Sequence, residues 1–591
     1  MFKTLYLHRN FTLAGVPIGA YCIVYAGGQA ELRAAVELRE YIEKTCTASL
    51  CIYRDTDVLP TEHEILIGCT NREDEDGFSL DRNGLGKEGF LIEERNGRLF
   101  ITGNGPRGTL YGVYEFLEKY VGWRFFASDC EVMTAGDSIT VPEKLYDRQV
   151  PVLEYRQVHW MDYFKVPLRA KRKQNTAMWG ELSETYGGSI HFTGGFAHTL
   201  VDILGIDNAT EQPCFSDPAV LEKVIAHVRK VAAAHPDARM ISVTQADNRN
   251  ICQCEKCRRV YEEEGAPSGV LVRFINQVAD AVREDYPDLL IETFAYQWSR
   301  TPPQKVRPRD NVLIRFCTGD ECRIHGYGNT DCIYNRNTTA DIEKWGSISK
   351  HFFVWDYSGN FTFYMVPLAN FFTLRTDTQF LYEKGVTGLF NMGQCEGGYS
   401  RQYEGYNAEF SALRAYLLSK VFWNPMMDEE EYNRHMNEFL AGYYGDGWMN
   451  IRKYIEFLVQ CVGDRHCRLY EGPNGLYDRD MYVGALPQIE QWFEDAIAKA
   501  NYEQKDRLEL LKLHMIFLKL FFTWDSIMES GDKERGAAAI RENEWLWNQF
   551  HERGIPLSEQ CKIVEKADFT KSPREWFIIP EWIKAQDWNV L

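Results

Sequence analysis

The sequence contains no long hydrophobic run. None of its stretches reaches the ~18 uninterrupted apolar residues that a membrane-spanning helix needs, so we expect no transmembrane helix in the 591-residue chain. The N-terminal segment also lacks the pattern of a secretory signal peptide. His8, Arg9 and Asn10 interrupt its apolar residues, and no small-residue cleavage site follows. These absences predict a cytoplasmic protein.

The sequence also lacks an excess of positive charge. It has 66 Lys and Arg against 85 Asp and Glu, which gives a net charge of −19. A field of that sign repels phosphate backbones and anionic lipid surfaces, so we expect neither a nucleic-acid partner nor a membrane partner. Intrinsic disorder is excluded because 45% of the residues are hydrophobic, enough to form a core.

Several catalytic and cofactor-binding motifs are missing as well. There is no Gly-rich phosphate loop, no G-x-S-x-G nucleophile elbow and no Lys-centred Schiff-base motif. These absences argue against nucleotide-dependent, serine-hydrolase and pyridoxal chemistry, and we expect no cofactor.

The 16 cysteines are scattered through the chain, which is typical of buried, reduced thiols in a protein of this size. Cys252, Cys254 and Cys257 are close enough in sequence to bind zinc. The fourth ligand would be one of Cys317, Cys322 or His325. The alternatives are that these thiols pack the loop or that two of them form a disulfide. Because the second Cys pair of common zinc motifs is absent, we expect no metal.

Residues 1–145 predict a small α/β domain. Strand-like and helix-like stretches alternate, and Asn96-Gly97 between two apolar runs predicts a hairpin. The segment 127–152 is predicted to be a linker.

Residues 146–420 predict a (β/α)8 TIM barrel, because short β-rich runs alternate with loops and helical stretches. Six strands are predicted at 152–158, 239–245, 289–297, 311–317, 351–357 and 386–392. Two more are expected between residues 160 and 238, near GGSIHFTGG and MWGELS. Residues 421–591 predict a helical domain, because amphipathic stretches follow one another between polar or Gly/Pro breaks.

The active site of such a barrel lies at the C-terminal ends of its strands. The candidate catalytic residues there are the carboxylates Asp247 and Glu321, with Asp320 beside the latter. The candidate substrate-binding residues are His159, His198, Tyr296, Trp298, Trp355, Asp356, Tyr357, Asn360 and Asn391. Gln297, Gln394 and Glu396 also follow strands. Carboxylates beside aromatic rings suit sugar hydrolysis, which needs a proton donor and a group that stabilises an oxocarbenium-like centre.

Several segments resemble glycoside hydrolase family 163, a bacterial family that was long an uncharacterised domain. They are VTQADNRNICQCEKCRRV, GVLVRFINQVADAVREDYPD, FAYQWSRTPP, FFVWDYSGNF and LRAYLLSKVFWNP. The segment GPRGTLYGVYEFLEKYVGWRFFA resembles the small α/β domain that precedes the barrel in α-glucuronidases and β-hexosaminidases. Together the similarity spans roughly residues 20 to 450.

The resemblance implies an endo-β-N-acetylglucosaminidase with a hexosaminidase-like N-terminal domain, a TIM barrel and a helical C-terminal region. It implies a retaining, substrate-assisted mechanism, in which the 2-acetamido oxygen of the substrate attacks the anomeric carbon. We assign Asp247 to orient the acetamide and Glu321 to act as general acid. The substrate is then an oligosaccharide or glycan containing β-linked N-acetylglucosamine.

Two other hypotheses remain open. An α-glucuronidase-like enzyme would need a cationic clamp for the uronate, such as Arg300, Arg315 or Arg323. A non-catalytic carbohydrate-binding protein on a degenerate barrel would use the same aromatic residues. The sequence is compatible with a homo-oligomer and does not specify one.

Overall fold

The computed structural model describes residues 9–75, 77–134, 136–177, 180–393, 409–586 and 590. The chain forms two compact units. The first is Met1–Glu154 with Tyr163–Ile190, and the second is Tyr155–Asp162 with His191–Leu591. The predicted boundaries at 145 and 420 remain predictions. No helix of the described residues combines the length and the apolarity that crossing a membrane would require.

The first unit is an α/β domain. Its strands are β1 (Asn10–Leu13), β2 (Val16–Pro17), β3 (Cys22–Tyr25), β4 (Ile52–Arg54), β5 (Glu64–Ile67), β6 (Phe90–Arg95), β7 (Arg98–Gly103), β8 (Trp123–Ala127), β9 (Cys130–Met133), β10 (Ser138–Val141) and β11 (Tyr146–Gln149). Its helices are α1 (Gln29–Cys46), α2 (Arg72–Glu75), α3 (Pro106–Phe116) and α4 (Val166–Lys171). The main sheet has the order β11-β6-β7-β5-β3-β4.

The hairpin predicted at Asn96-Gly97 is confirmed. Arg95 pairs with Arg98, which leaves a two-residue loop between β6 and β7. Both loop residues have positive φ, 55° and 82°, as a type I′ turn requires. This turn suits Asn and Gly because both tolerate the left-handed region.

The prediction of a linker over 127–152 is wrong. The segment contains β9, β10 and β11, and two of these strands complete sheets of the first unit. β10 pairs with β1, and β11 pairs with β6. Their partners lie far away in the sequence, so local periodicity gave no sign of the pairing.

The second unit is built on seven parallel strands with helices between them. The strands are β12 (Tyr155–His159), β13 (Phe192–Thr193), β14 (Met240–Ser242), β15 (Leu290–Ala295), β16 (Val312–Cys317), β17 (His351–Tyr357) and β18 (Gly388–Met392). The helices that alternate with them are α5 (Leu200–Leu204), α6 (Pro218–Ala234), α7 (Glu255–Glu264), α8 (Ser268–Val282), α9 (Arg336–Ile348) and α10 (Thr373–Glu383). The sheet order is β12-β18-β17-β16-β15-β14-β13.

The seven-stranded sheet curls, and its two edge strands therefore approach one another. The ring of Tyr155 on β12 lies 5.4 Å from the ring of Phe192 on β13. The six predicted strands are confirmed, and β13 lies in the GGSIHFTGG segment. The strand expected near MWGELS is not found in its described part, since residues 180–183 belong to no strand and Met178 and Trp179 lie outside the described residues. An eight-stranded closed barrel therefore remains a prediction.

Residues after 410 are largely helical, as predicted. The helices are α11 (Ser411–Trp423), α12 (Glu429–Tyr444), α13 (Trp448–Val462), α14 (Pro473–Leu476), α15 (Arg479–Ala498), α16 (Tyr502–Glu529), α17 (Lys533–Glu552) and α18 (Glu581–Lys584), with a two-stranded sheet of β19 (Lys562–Ile563) and β20 (Phe577–Ile578). Side-chain caps start several of them. Asp428 accepts from the Glu431 amide before α12, and Asn501 forms a capping box with Gln504 before α16.

Candidate functional site

A cleft of about 540 Å³ opens where several parallel strands of the second unit end. The loops after β14, β15 and β16 and the end of β17 form one side of it. Segments from the C-terminal third of the chain form the other side. The lining residues are Asp247, Arg249, Tyr296, Gln297, Trp298, Arg300, Cys317, Thr318, Gly319, Asp320, Tyr357, Leu469, Tyr470, Gln560, Trp582 and Gln586. Among them, the carboxylates are Asp247 and Asp320.

Asp247, a predicted catalytic residue, lies at the cleft, and neighbouring side chains hold its carboxylate. The Tyr296 hydroxyl and the Gln297 side-chain amide both donate to its Oδ1, at 3.1 and 3.0 Å. Gln297 has a φ of 47°, in the left-handed region that non-glycine residues rarely adopt. Such backbone strain tends to occur at functional sites, where it fixes a side chain in a required direction.

Asp320 and Glu321 follow β16 as neighbours and lie in very different surroundings. The Asp320 side chain lines the cleft and is 59% exposed, and Arg249 Nη2 lies 3.9 Å from its Oδ2. The Glu321 side chain is fully buried and does not line the cleft. The loop therefore presents Asp320 to a ligand and turns Glu321 into the protein.

Glu321 is enclosed by donors. Arg300 Nη2 lies 2.5 Å from its Oε1, Arg323 Nη2 lies 3.7 Å from its Oε2, and the Thr338 hydroxyl donates to Oε1 at 2.9 Å. Burial opposes ionisation, but the two arginines outweigh it and lower the pKa of Glu321. These contacts suit a carboxylate that stays ionised, whereas a general acid must hold a proton.

Aromatic rings surround the two aspartates. The predicted substrate-binding residues Tyr296, Trp298 and Tyr357 line the cleft. Burial, followed by nearby acidic groups such as Asp247, raises the pKa of Tyr296 far above its ordinary value, so its hydroxyl remains a donor. Tyr470 and Trp582 also line the cleft, with ring centroids 5.3 Å apart. No local signal could have found these two, because they lie more than 100 residues beyond the ends of β14 to β17, the strands that contribute to the cleft.

Asp356 and Asn391 lie beneath the cleft rather than in its lining. Asp356 Oδ1 accepts from Thr318 Oγ1 at 3.0 Å and from Arg323 Nη1 at 2.8 Å. Asn391 Nδ2 donates to Asp356 Oδ2 at 3.2 Å. Both residues join a buried network that supports the loop after β16, so they position other groups.

Asn360, His159 and Trp355 also lie outside the lining. Asn360 is buried, accepts from two backbone amides and donates to the Glu471 carbonyl at 2.7 Å. His159 is buried, and burial lowers its pKa to about 3. The Trp355 ring packs 4.8 Å from the Phe390 ring. The surroundings of Asn360 and His159 match those of core residues, whereas Trp355 is half-buried among aromatic rings.

His198 is half-buried beside the cleft residue Tyr296, with their rings 6.3 Å apart. Its Nδ1 lies 2.7 Å from the Gln245 carbonyl oxygen, and its φ is 53°. The imidazole is thus fixed behind the lining. Gln394 and Glu396 lie outside the described residues.

The arginines proposed as a uronate clamp separate into two groups. Arg300 lines the cleft, although Glu321 already pairs with it. Arg323 is buried against Asp356. Arg315 is buried 2.9 Å from Glu292, and its guanidinium lies 4.1 Å from the Phe192 ring. Arg249, which was not among the predicted residues, lines the cleft with a side chain that is 71% exposed.

The cysteine motif after Asp247 lies in a cluster of four thiols. Cys252, Cys254 and Cys257 meet Cys214, and not the fourth ligands expected from the sequence. Two of those residues, Cys322 and His325, form a second cluster with Cys332 and His466. The expected Cys317 joins neither cluster. No disulfide involves the six cysteines of the two clusters, all of which the structure describes.

Comparisons with solved structures show a related fold. The family GH115 4-O-methyl-α-glucuronidase BtGH115A, with specificity for decorated arabinogalactans, is 12% identical with a TM-score of 0.56, and the match covers 93% of this chain and 81% of that one. A GH138 enzyme that targets pectin rhamnogalacturonan II is 10% identical with a TM-score of 0.47 over 91% and 94%. CpGH84D is 11% identical with a TM-score of 0.45 over 94% and 93%. The first likeness indicates a shared fold, whereas the TM-scores of the other two lie below 0.5. No curated protein matches the sequence significantly.

Two family models match the sequence. The glycosyl hydrolase family 67 N-terminus matches residues 23–116, which lie within the predicted N-terminal α/β domain. The resemblance to glycoside hydrolase family 163 remains a prediction. The domain of unknown function DUF4838 matches residues 125–456, more than half of the 591 residues. The chain therefore belongs to the DUF4838 family.

Proposed function

We propose that this protein is a glycoside hydrolase that uses Asp247 and Asp320 as its two carboxylates. The observation that carries the proposal is the composition of the cleft, where these two acids share a lining with five Trp and Tyr side chains. Glycosidic hydrolysis needs two carboxyl groups beside the scissile bond. The aromatic faces would stack on pyranose rings, and Gln560 and Gln586 would bind hydroxyl groups.

The surroundings of the two aspartates suggest different roles. Asp247 is oriented by Tyr296 and Gln297, which suits the group that directs and polarises a reacting acetamide. Asp320 lines the cleft, where its carboxyl group can reach the oxygen of a leaving group. This proposal moves the proton donor from Glu321 to its neighbour.

For a substrate with a 2-acetamido group, the reaction would proceed in two steps. In the first, the acetamide oxygen bonds to the anomeric carbon, the glycosidic C–O bond breaks, and the Asp320 proton goes to the departing oxygen. In the second, water attacks the anomeric carbon and returns a proton to Asp320 as the acetamide is released. The configuration is retained over the two displacements.

An α-glucuronidase activity is the second candidate, and the cations of the cleft favour it. Arg249 and Arg300 both line the cavity, and a uronate carboxylate could pair with the exposed Arg249. The matched GH67 N-terminus and the GH115 α-glucuronidase fold are compatible with this candidate.

Product analysis by mass spectrometry tests the proposal. The protein is incubated separately with complex N-glycans, chitooligosaccharides and glucuronoxylan fragments. We expect cleavage at an N-acetylglucosamine linkage, and the initial rate of cleavage should be strongly reduced in Asp320→Asn and in Asp247→Asn. Asp310→Asn is the matched control, because this aspartate is 73% exposed and does not line the cleft. Cleavage should be unchanged in that variant.

Release of uronic acid instead would replace the first candidate with the second. An Arg249→Ala variant should then raise KM, while cleavage of neutral glycans should not depend on Arg249. Calorimetric binding of a glycan with no product after long incubation would reject hydrolysis and leave a carbohydrate-binding protein.

A further inference from the structure

The second unit contains two clusters of metal-ligating side chains beside the cleft. One is formed by Cys214, Cys252, Cys254 and Cys257, and we name it the four-thiol site. The other is formed by Cys322, His325, Cys332 and His466, and we name it the mixed site. In each, the four potential ligand atoms lie within 4.8 Å of one another. We propose that each cluster binds one structural zinc ion.

The distances in the four-thiol site match a tetrahedron around zinc. With Zn–S bonds of about 2.3 Å, the sulfur atoms of a tetrahedral site lie about 3.8 Å apart. Cys214 Sγ lies 3.8 Å from both Cys254 Sγ and Cys257 Sγ. A disulfide would bring two sulfurs to about 2.05 Å, so the observed spacing suits a shared metal.

The distances in the mixed site fit equally well. Tetrahedral edges are about 3.5 Å between sulfur and nitrogen and about 3.3 Å between two nitrogens. Cys322 Sγ lies 3.5 Å from His325 Nδ1, and Cys332 Sγ lies 3.4 Å from His466 Nδ1. The two Nδ1 atoms are 3.1 Å apart. This cluster was not predicted, because His466 is 134 residues beyond Cys332.

Backbone amides support a sulfur in each site. The Cys257 amide lies 3.4 Å from Cys254 Sγ at the first turn of α7, and the His325 amide lies 3.5 Å from Cys322 Sγ. Amide donors stabilise thiolates, the form that binds metal. With four protein ligands each, both sites are closed, and closed sites are structural rather than catalytic.

The two sites lie on the loops that carry the cleft aspartates. The loop after β14 passes from Asp247 to Cys252, and the loop after β16 passes from Asp320 to Cys322. His466 precedes Leu469 and Tyr470, which line the opposite side of the cleft. A zinc ion in the mixed site would therefore link the loop after β16 to the segment before Leu469, which form opposite sides of the cleft. This role does not depend on which ligand the cleft binds.

Elemental analysis of the full chain, purified without chelator or metal-affinity tag, tests both sites. We expect about two zinc ions per chain. Release by a mercurial thiol reagent, followed with a zinc-binding dye, should give the same count from the native protein. Less than about 0.2 zinc per chain would overturn the proposal and leave hydrogen-bonded clusters. Iron in place of zinc would overturn the metal assignment.

Variants assign the ions to the sites. Cys254→Ser and His466→Asn should each reduce the count from two to one. The matched controls Cys51→Ser, an exposed thiol, and His227→Asn, on α6, should retain two. A count of two in either site variant would contradict the corresponding site.

X-ray absorption at the zinc edge identifies the ligand atoms directly, and its measurement on the native protein requires no variant. The native protein should show an average of three sulfur and one nitrogen ligands per zinc, because the two sites contribute four and two sulfurs. The Cys254→Ser variant should shift to two sulfurs and two nitrogens. An all-oxygen environment would show surface-bound zinc and overturn both sites.

Discussion

The loops after β14 and β16 differ in how each holds its aspartate, although both deliver one to the cleft and continue into a cysteine cluster. In the first, Tyr296 and Gln297 bind Asp247 directly. In the second, Asp320 is exposed, and the loop beneath it is anchored by Glu321 among its arginines. Asp247 is therefore oriented by hydrogen bonds to its own side chain, whereas Asp320 is positioned through its backbone by the buried contacts of the neighbouring Glu321.

The largest effect is expected for Asp320→Asn. The amide cannot pass a proton to the leaving group, and positioned acid catalysis contributes about 10²–10⁴-fold, so kcat should fall by about 10³-fold, or about 4 kcal/mol. Steady-state kinetics with an unchanged melting temperature checks this. Undiminished turnover would contradict the view that both loops supply a catalytic aspartate, since Asp320 would then have no part in the reaction.

The second-largest effect is expected for Glu321→Gln, which should lower the free energy of unfolding. The change leaves Arg300 and Arg323 short of a buried counter-charge, so we expect a loss of about 3 kcal/mol in the free energy of unfolding. Urea denaturation measures it. The control Glu263→Gln removes a surface partner of Arg273 and should cost no more than about 1 kcal/mol.

This variant also distinguishes the two neighbouring acids. If Glu321 were the general acid, kcat of the folded fraction would fall about as far as in Asp320→Asn. We expect Glu321→Gln to lower the free energy of unfolding, and we expect kcat of its folded fraction to fall far less than kcat of Asp320→Asn.

A smaller effect is expected for Asp247→Asn. The amide keeps the shape of the side chain but loses the negative charge that polarises the reacting group, so kcat should fall by about 10²-fold, or about 2.7 kcal/mol. A comparison of kcat and KM in the same assay checks this. A rise confined to KM would mean that Asp247 only binds the substrate.

The smallest effect is expected for Tyr296→Phe. One donor to Asp247 Oδ1 is lost, but Gln297 still holds the same oxygen, so we expect a cost of about 1 kcal/mol, or roughly a fivefold loss in kcat/KM. The control Tyr120→Phe breaks a similar tyrosine–aspartate bond, to Asp147 in the first unit, and should leave kcat/KM unchanged. An equal loss in both would show a general stability effect.

Much of the fold was predictable because its signals are local. The Asn96-Gly97 hairpin, the six strands and most C-terminal helices follow from turn chemistry and periodicity. The strands within 127–152 were missed because their partners are distant in sequence.

The candidate site was predictable in part. Position at a strand end led to Asp247, Tyr296, Trp298 and Tyr357, all of which line the cleft. The same reasoning could not choose between Asp320 and Glu321. That choice depends on the arginines that enclose one of them, and Arg300 comes from a different strand end.

The sequence by itself determined the alternation of strands and helices and the kinds of side chain that follow each strand. Hydrophobic periodicity and turn residues act between near neighbours, so they can be read directly from the chain. Only the tertiary structure decided which acid faces the cleft and which cysteines and histidines meet. Some of those contacts join residues as far as 141 positions apart, and the packing of the whole unit brings them together.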